Sequence, residues 1–224
     1  MPAYDLLTPG MQEQWARKAK NLKSANEENN VPELLFAEKA GIFSEFAKVV
    51  CIGIGCLVER EGEWKVVLKG LTDHDEKVLL NKFCEAITRF IERFPDLRFC
   101  GHNIKEFDIP FLCRRMIINK MNLPECMQVH GKKPWEITHI DTLDLWKFGD
   151  HKHYTALALL AEVLGIPSPK DDIDGSMVGE VYWKERDLER INRYCLRDVY
   201  TTAKVFLRLR GITDIIPEAH YVEE

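Results

Sequence analysis

The chain has 224 residues, 46% of them hydrophobic and 30% charged, with a formal net charge of −5. That size and apolar content support one globular domain with its own core. No apolar run reaches the ~18–20 residues of a bilayer span, the start Met1-Pro2-Ala3-Tyr4-Asp5 lacks the parts of a signal peptide, and the acidic balance excludes a clamp that holds nucleic acid by bulk charge alone.

A cytoplasmic protein without a membrane partner is therefore expected. The seven cysteines agree: their number is odd, and no Cys-x-x-Cys pair occurs. Cys51, Cys56, Cys84, Cys100 and Cys113 have apolar neighbours, as buried thiols of a reducing compartment do. A structural zinc site is not expected.

In chain order, Met11, Trp15, Ala19 and Leu22 recur at helical spacing and predict an exposed helix over 9–29. A short helix follows within 32–46. Lys48 to Val58 and Trp64 to Leu68 read as two strands of a hairpin turned at Glu61-Gly62. Asp75 to Phe94 is an amphipathic helix with Val78, Leu79, Phe83, Ile87, Phe90 and Ile91 on one face. Asp73 or Asp75 suits its N-cap. Leu97 to Cys100 is a short strand, and Pro110 to Met121 a helix with proline in its first turn. Ile137 to Ile140 is a strand leading into Asp141. Thr155 to Leu164 is a helix stopped by Gly165, and Asp187 to Leu209 is the longest helix. The pattern is mixed α/β, with one domain over residues 1–211 and a tail at 212–224.

Two stretches can carry chemistry. Tyr194 and Asp198 are four apart on a helix and share a face. A carboxylate there can hold a divalent cation, and a phenol one turn away can orient water. The plainer reading is a packed tyrosine and a surface acid. Upstream, Gly101-His102-Asn103-Ile104-Lys105-Glu106-Phe107-Asp108 joins a strand to a helix, where α/β folds place ligands. Asp108 could ligate a metal or cap the helix. Phe107 could stack a base or fill the core. Asn103 could reach a phosphate or sugar, or close a turn.

Asn-x3-Phe-Asp followed by Tyr-x3-Asp resembles the second and third motifs of the DEDDy 3′→5′ exonucleases, which have a ribonuclease-H-like fold. The segments Ile140 to Gly149 and Ser168 to Ser176, the Lys48–Gly55 strand and the Trp15–Lys20 helix are similar to one subgroup. These are the predicted 3′→5′ exonucleases related to the proofreading domain of B-family DNA polymerases. The resemblance runs from about Pro2 to Gly211.

It implies an α/β, ribonuclease-H-like mixed sheet flanked by helices. It also implies hydrolysis of phosphodiester bonds at single-stranded or frayed 3′ ends of DNA or RNA. Two Mg²⁺ or Mn²⁺ ions roughly 3.5–4 Å apart would be held by four carboxylates. By motif, Asp108 and Asp198 would be metal ligands and Tyr194 would position the attacking water. His102, Asn103, Phe107, Lys170 and Ser176 would contact the substrate.

The chain departs from the family in one respect. The family's opening central strand ends in Asp-x-Glu, but the only Asp-x-Glu here is Asp187-Leu188-Glu189, at the start of a helix. The opening strand is thus expected to be absent. The chain as written is expected to be weakly active, and less stable than a form extended at its N-terminus. The alternative is a non-catalytic nucleic-acid-binding module on the same fold. An unrelated metabolic enzyme finds no glycine-rich phosphate loop, nucleophile elbow or Cys–His signature.

Several weaker signals remain. Asp141 and Asp144 follow a strand and suit a helix start or a place near the site. His151 and His153 in a polar loop suit solvent exposure. Gly53-Ile54-Gly55 lacks the third glycine of a dinucleotide loop and lies within a strand. Arg114, Arg115, Lys132, Lys133 and Lys147 could flank a nucleic-acid path, with a charged surface as the plainer reading. The sequence carries no sign of oligomeric state.

Overall fold

The computed structural model describes residues 4–24, 30–60, 63–150, 152–167, 172–213 and 217–222. Helix α1 (Pro9–Ala19) starts where the Thr8 side chain accepts from the Met11 N–H, with Pro9 in the first turn. It is shorter than the 9–29 expected, and residues 25–29 lie outside the described part. Helix α2 (Pro32–Lys39) follows. Strands β1 (Cys51–Arg60) and β2 (Glu63–Thr72) form the antiparallel hairpin; its turn, Glu61-Gly62, is also outside the described residues.

Helix α3 (Glu76–Arg93) is capped by Asp75, which accepts from the Lys77 and Val78 N–H groups. Strand β3 is only Cys100–Gly101 and precedes α4 (Asp108–Ile118). Strand β4 (Ile140–Asp141) pairs with β3 in parallel and runs directly into α5 (Thr142–Lys147). Then come α6 (Leu157–Val163), the short α7 (Val178–Glu180) with a π-helical turn at Val181–Glu185, α8 (Leu188–Leu209) and β5 (Glu218–Tyr221).

The chain divides into two compact units. The first joins Met1–Lys48 to Ile173–Asp187. Its centre is Trp15, fully buried, with the rings of Phe36 and Phe46 each 5.1 Å away edge-on. The indole N–H is satisfied by the Pro32 carbonyl at 2.7 Å. The Lys48 ammonium lies over the Tyr182 ring at 5.1 Å, fastening the later segment to the earlier one.

The second unit, Val49–Asp172 with Leu188–Glu224, is mixed α/β. Its hairpin buries both faces in alternation. Ile52, Ile54 and Leu71 face a core with Leu79, Leu80 and Phe83 of α3 and Ile109 and Met116 of α4. On the other face Leu57, Val66 and Leu68 meet Leu196 and Val199 of α8. Helix α6 packs on α8 through Leu160, Ala161 and Val205. A buried ion pair joins α3 to α4. Glu76 accepts from Arg115 Nε at 2.9 Å and Nη2 at 2.5 Å, from Asn119 Nδ2 at 2.8 Å and from the Val49 N–H at 2.6 Å. Four donors on one carboxylate offset the desolvation that makes such pairs costly.

The 212–224 segment, expected as a tail, carries β5. This strand lies parallel to β2 in the register Lys65↔Glu218 to Leu68↔Tyr221, making a mixed sheet in the order β1-β2-β5. Strands β3 and β4 form a separate pair. No strand precedes β1 among the described residues.

Candidate active site

Helix α8 places Tyr194 and Asp198, and three glycines of the hairpin set where α8 lies. A Cβ at Gly53 would stand 2.9 Å from both Cys195 Sγ and Val199 Cγ2. One at Gly55 would stand 2.6 Å from Val199 Cγ1, and one at Gly70 only 1.7 Å from Asn192 Oδ1. Asn192, Cys195 and Val199 are spaced by three and four, so they form one stripe of the helix, pressed on bare backbone. Tyr194 and Asp198 share the adjoining stripe, one turn apart and half-buried.

Asp108 comes from the other side of the unit, in the first turn of α4. The six residues before it, His102 to Phe107, form a loop held by Asp141. That carboxylate is buried and accepts three backbone N–H groups: Asn103 at 2.8 Å, Lys105 at 3.1 Å and Leu143 at 2.9 Å. Both its oxygens are engaged, so Asp141 caps α5 and anchors the loop rather than offering itself to a cation. Asn103 turns the chain at φ 60°, a left-handed conformation that asparagine tolerates. Its carbonyl accepts the Phe107 N–H at 3.0 Å, and the Phe107 carbonyl accepts the Phe111 N–H at 2.9 Å, which starts α4. Lys105 Nζ reaches Asp144 at 3.3 Å, closing the loop onto α5.

His102 is fixed at both nitrogens. Nε2 donates to the Thr155 carbonyl at 2.8 Å, and Nδ1 lies 2.9 Å from Thr142 Oγ1. The imidazole is thus a strut between the loop, α5 and the segment before α6. Phe107 is 41% exposed, its ring 5.6 Å from Phe111 at the mouth of α4. Ser176 belongs to the first unit, where its N–H and hydroxyl both donate to Asp174 Oδ1 in a local turn. Lys170 lies outside the described residues.

The structure brings Asp108 and Asp198 to bear on one thiol. The Cys195 sulfur, packed on Gly53, lies within electrostatic reach of both. It shares a hydrogen bond with Cys51, and that bond together with burial pushes the Cys51 thiol well up. Asp108 itself is raised from 3.8 to about 6. Burial of the carboxylate dominates and the Asp141 charge adds to it, while its own backbone N–H pulls the other way. Solvent reaches this residue, so the carboxylate is not sealed in the core.

Two carboxylates are hard oxygen donors suited to Mg²⁺ or Mn²⁺, which commonly take one or two carboxylates and complete the shell with waters and phosphate. Among the described residues no group of three or more His, Cys, Asp or Glu is arranged to hold a metal ion. The donor set therefore fits a single weakly held cation, not a closed two-ion centre. No helix of the described residues is long and apolar enough to cross a membrane.

The anchoring role of Asp141 is the feature least visible beforehand. Its place before α5 reads as an N-cap, but two of its three donors come from a loop far away in sequence.

A search of curated proteins finds no match to the chain. A family described as a predicted 3′-5′ exonuclease related to the exonuclease domain of PolB matches residues 42–224. That span takes in the hairpin, the Asp141-anchored loop with Asp108, and the whole of α8, so the chain belongs to this exonuclease family.

Proposed function

We propose that the protein is a divalent-metal-dependent 3′→5′ exonuclease that removes nucleotides from single-stranded or frayed 3′ ends. What supports this reading is that Asp108 and Asp198 both lie within electrostatic reach of the same Cys195 thiol. Asp108 and Asp198 would hold Mg²⁺ or Mn²⁺ against the scissile phosphate. A bound ion supplies charge neutralisation there and a more acidic water. Tyr194, one helical turn from Asp198, would accept or donate a hydrogen bond to the attacking water and fix its line of approach. Phe107, open to solvent at the head of α4, would stack the terminal base. Asn103, at the left-handed corner of the loop, would meet the terminal sugar or phosphate. All seven cysteines are free, which supports a reducing, cytoplasmic setting.

A second reading, a nucleic-acid-binding module without catalysis, is favoured by the small ligand set. One assay separates them. A 5′-labelled single strand is incubated with the protein and Mg²⁺ or Mn²⁺. The exonuclease reading predicts a ladder shortened from the 3′ end and abolished by EDTA. D108N and D198N should be inactive, and Y194F slowed about 100-fold with substrate binding kept. Binding of the strand with no metal-dependent shortening supports the binding module instead. A ladder unchanged in Y194F and D198N contradicts the assigned site.

A further inference from the structure

We propose that Tyr154 is a stacking surface for a nucleobase of the single strand, beside the Asn103 corner. The proposal rests on the exonuclease reading above and adds a subsite to it. Tyr154 is 65% exposed, in the extended segment between α5 and α6. Its ring meets the His102 ring edge-to-face, with centroids 6.4 Å apart and planes at 67°. An edge-to-face contact occupies at most one face of a ring, so at least one face of the phenol remains open to solvent. The phenol hydroxyl has no hydrogen-bond partner among the described residues.

The ring's support is rigid. His102 is pinned at both nitrogens, and one of its two bonds goes to the carbonyl of Thr155, the residue next to Tyr154. One imidazole therefore fixes the backbone beside the tyrosine and packs against its ring. His102 also precedes Asn103, whose N–H is held by Asp141 in the loop that leads to Asp108. The open ring thus adjoins the loop that carries the candidate acid. Lys152, exposed, comes just before it and brings an ammonium suited to phosphate, while His153 Nδ1 lies 3.2 Å from the Asp150 carboxylate.

A preorganised aromatic ring with a free face, the Lys152 ammonium nearby and a rigid backing matches what single strands require. Stacking accepts any base, because every base has a π-face, while nearby cations follow the phosphates. Phe107 and Tyr154 would then serve two different bases, since Phe107 already packs on Phe111 of α4 while Tyr154 packs on His102.

The test uses the full chain with Ca²⁺ in place of Mg²⁺, to hold the substrate uncut. The probes are 5′-fluorescein octathymidylates carrying 2-aminopurine or an abasic sugar at each of the three 3′-terminal positions in turn. At one position 2-aminopurine should be quenched on binding to the wild type. Y154A should lose that quenching and bind about 5- to 100-fold more weakly, whereas Y154F and Y154W keep both. With the abasic sugar at that position, wild type and Y154A should bind alike.

Circular dichroism melting of Y154A should match the wild type, because the side chain is on the surface. Wild-type binding with Y154A within twofold of it overturns the stacking role. Loss in Y154F equal to that in Y154A overturns it as well, since the hydroxyl and not the ring face would then be at work. Failure of the wild type to bind any of these strands defeats the exonuclease reading itself, and the subsite with it.

Discussion

At the scale of single residues, the account turns on Asp108. Its carboxyl sits near 6 where an unfolded chain would hold it near 3.9, so the folded state binds the proton more tightly. Stability from this group is complete below the unfolded value and is lost as pH rises through about 6. In metal-free buffer, the midpoint of urea unfolding should therefore fall between pH 4 and pH 6.5 in the wild type. D108N, which cannot titrate, should show a flatter profile and exceed the wild type at pH 7. A profile of D108N parallel to that of the wild type would contradict the assignment. The charge that costs stability in the absence of a cation is the charge that a cation would use. Asp108 and Asp198 stand out in the sequence because the motif spacing marks them. The structural work of Asp141 and His102 was not, because their partners are backbone groups of Asn103, Lys105, Leu143 and Thr155, and a backbone N–H or carbonyl leaves no mark on residue type.

At the scale of elements, the site depends on how closely α8 lies on the hairpin. Gly53-Ile54-Gly55 lies within β1. Its glycines make room for Cys195 and Val199. Gly55→Ala would put a methyl 2.6 Å from Val199 Cγ1, and valine in a helix has essentially one rotamer to offer. The strain should be relieved by a shift of α8 and cost about 1–3 kcal/mol of stability. Chemical denaturation of G55A and of the G55A/V199A double variant checks this. The double variant should recover part of the loss, and equal stability of G55A and the wild type would refute the close-packing argument. The long helices and the hairpin were readable from periodicity, since α3 and α8 bury one stripe and β1 and β2 alternate. The short strands were expected at Leu97 to Cys100 and Ile137 to Ile140 but their bounds were not legible: β3 and β4 pair only over Cys100–Gly101 and Ile140–Asp141, too few residues for a period-two signal to set the ends. Strand β5 was missed because Glu218-Ala219-His220-Tyr221 is only four residues long, with no β-branched residue in it, and its pairing with β2 is what makes it a strand.

At the scale of the molecule, the described strands form a mixed three-stranded sheet and a parallel pair, with Asp108 following the pair and Tyr194 and Asp198 on the helix that lies across the hairpin. Fold class and family could be taken from the sequence, because motif order and element order agree with each other and with the family match over 42–224. What the order of residues could not show is how Asp108 and α8 come to lie near the same thiol. That depends on the packing of α8 and the anchoring of the loop before α4, both set by contacts between residues far apart in the chain. The most direct measurement is a Mn²⁺ titration, reading free ion by electron paramagnetic resonance, on the wild type, D108N, D198N and the double variant. A shared site predicts saturable binding in the wild type that weakens below about pH 6. Each single variant should lose it, and the double variant should lose no more than either. Wild-type affinity in D108N or in D198N would show that the two carboxylates do not hold one cation between them.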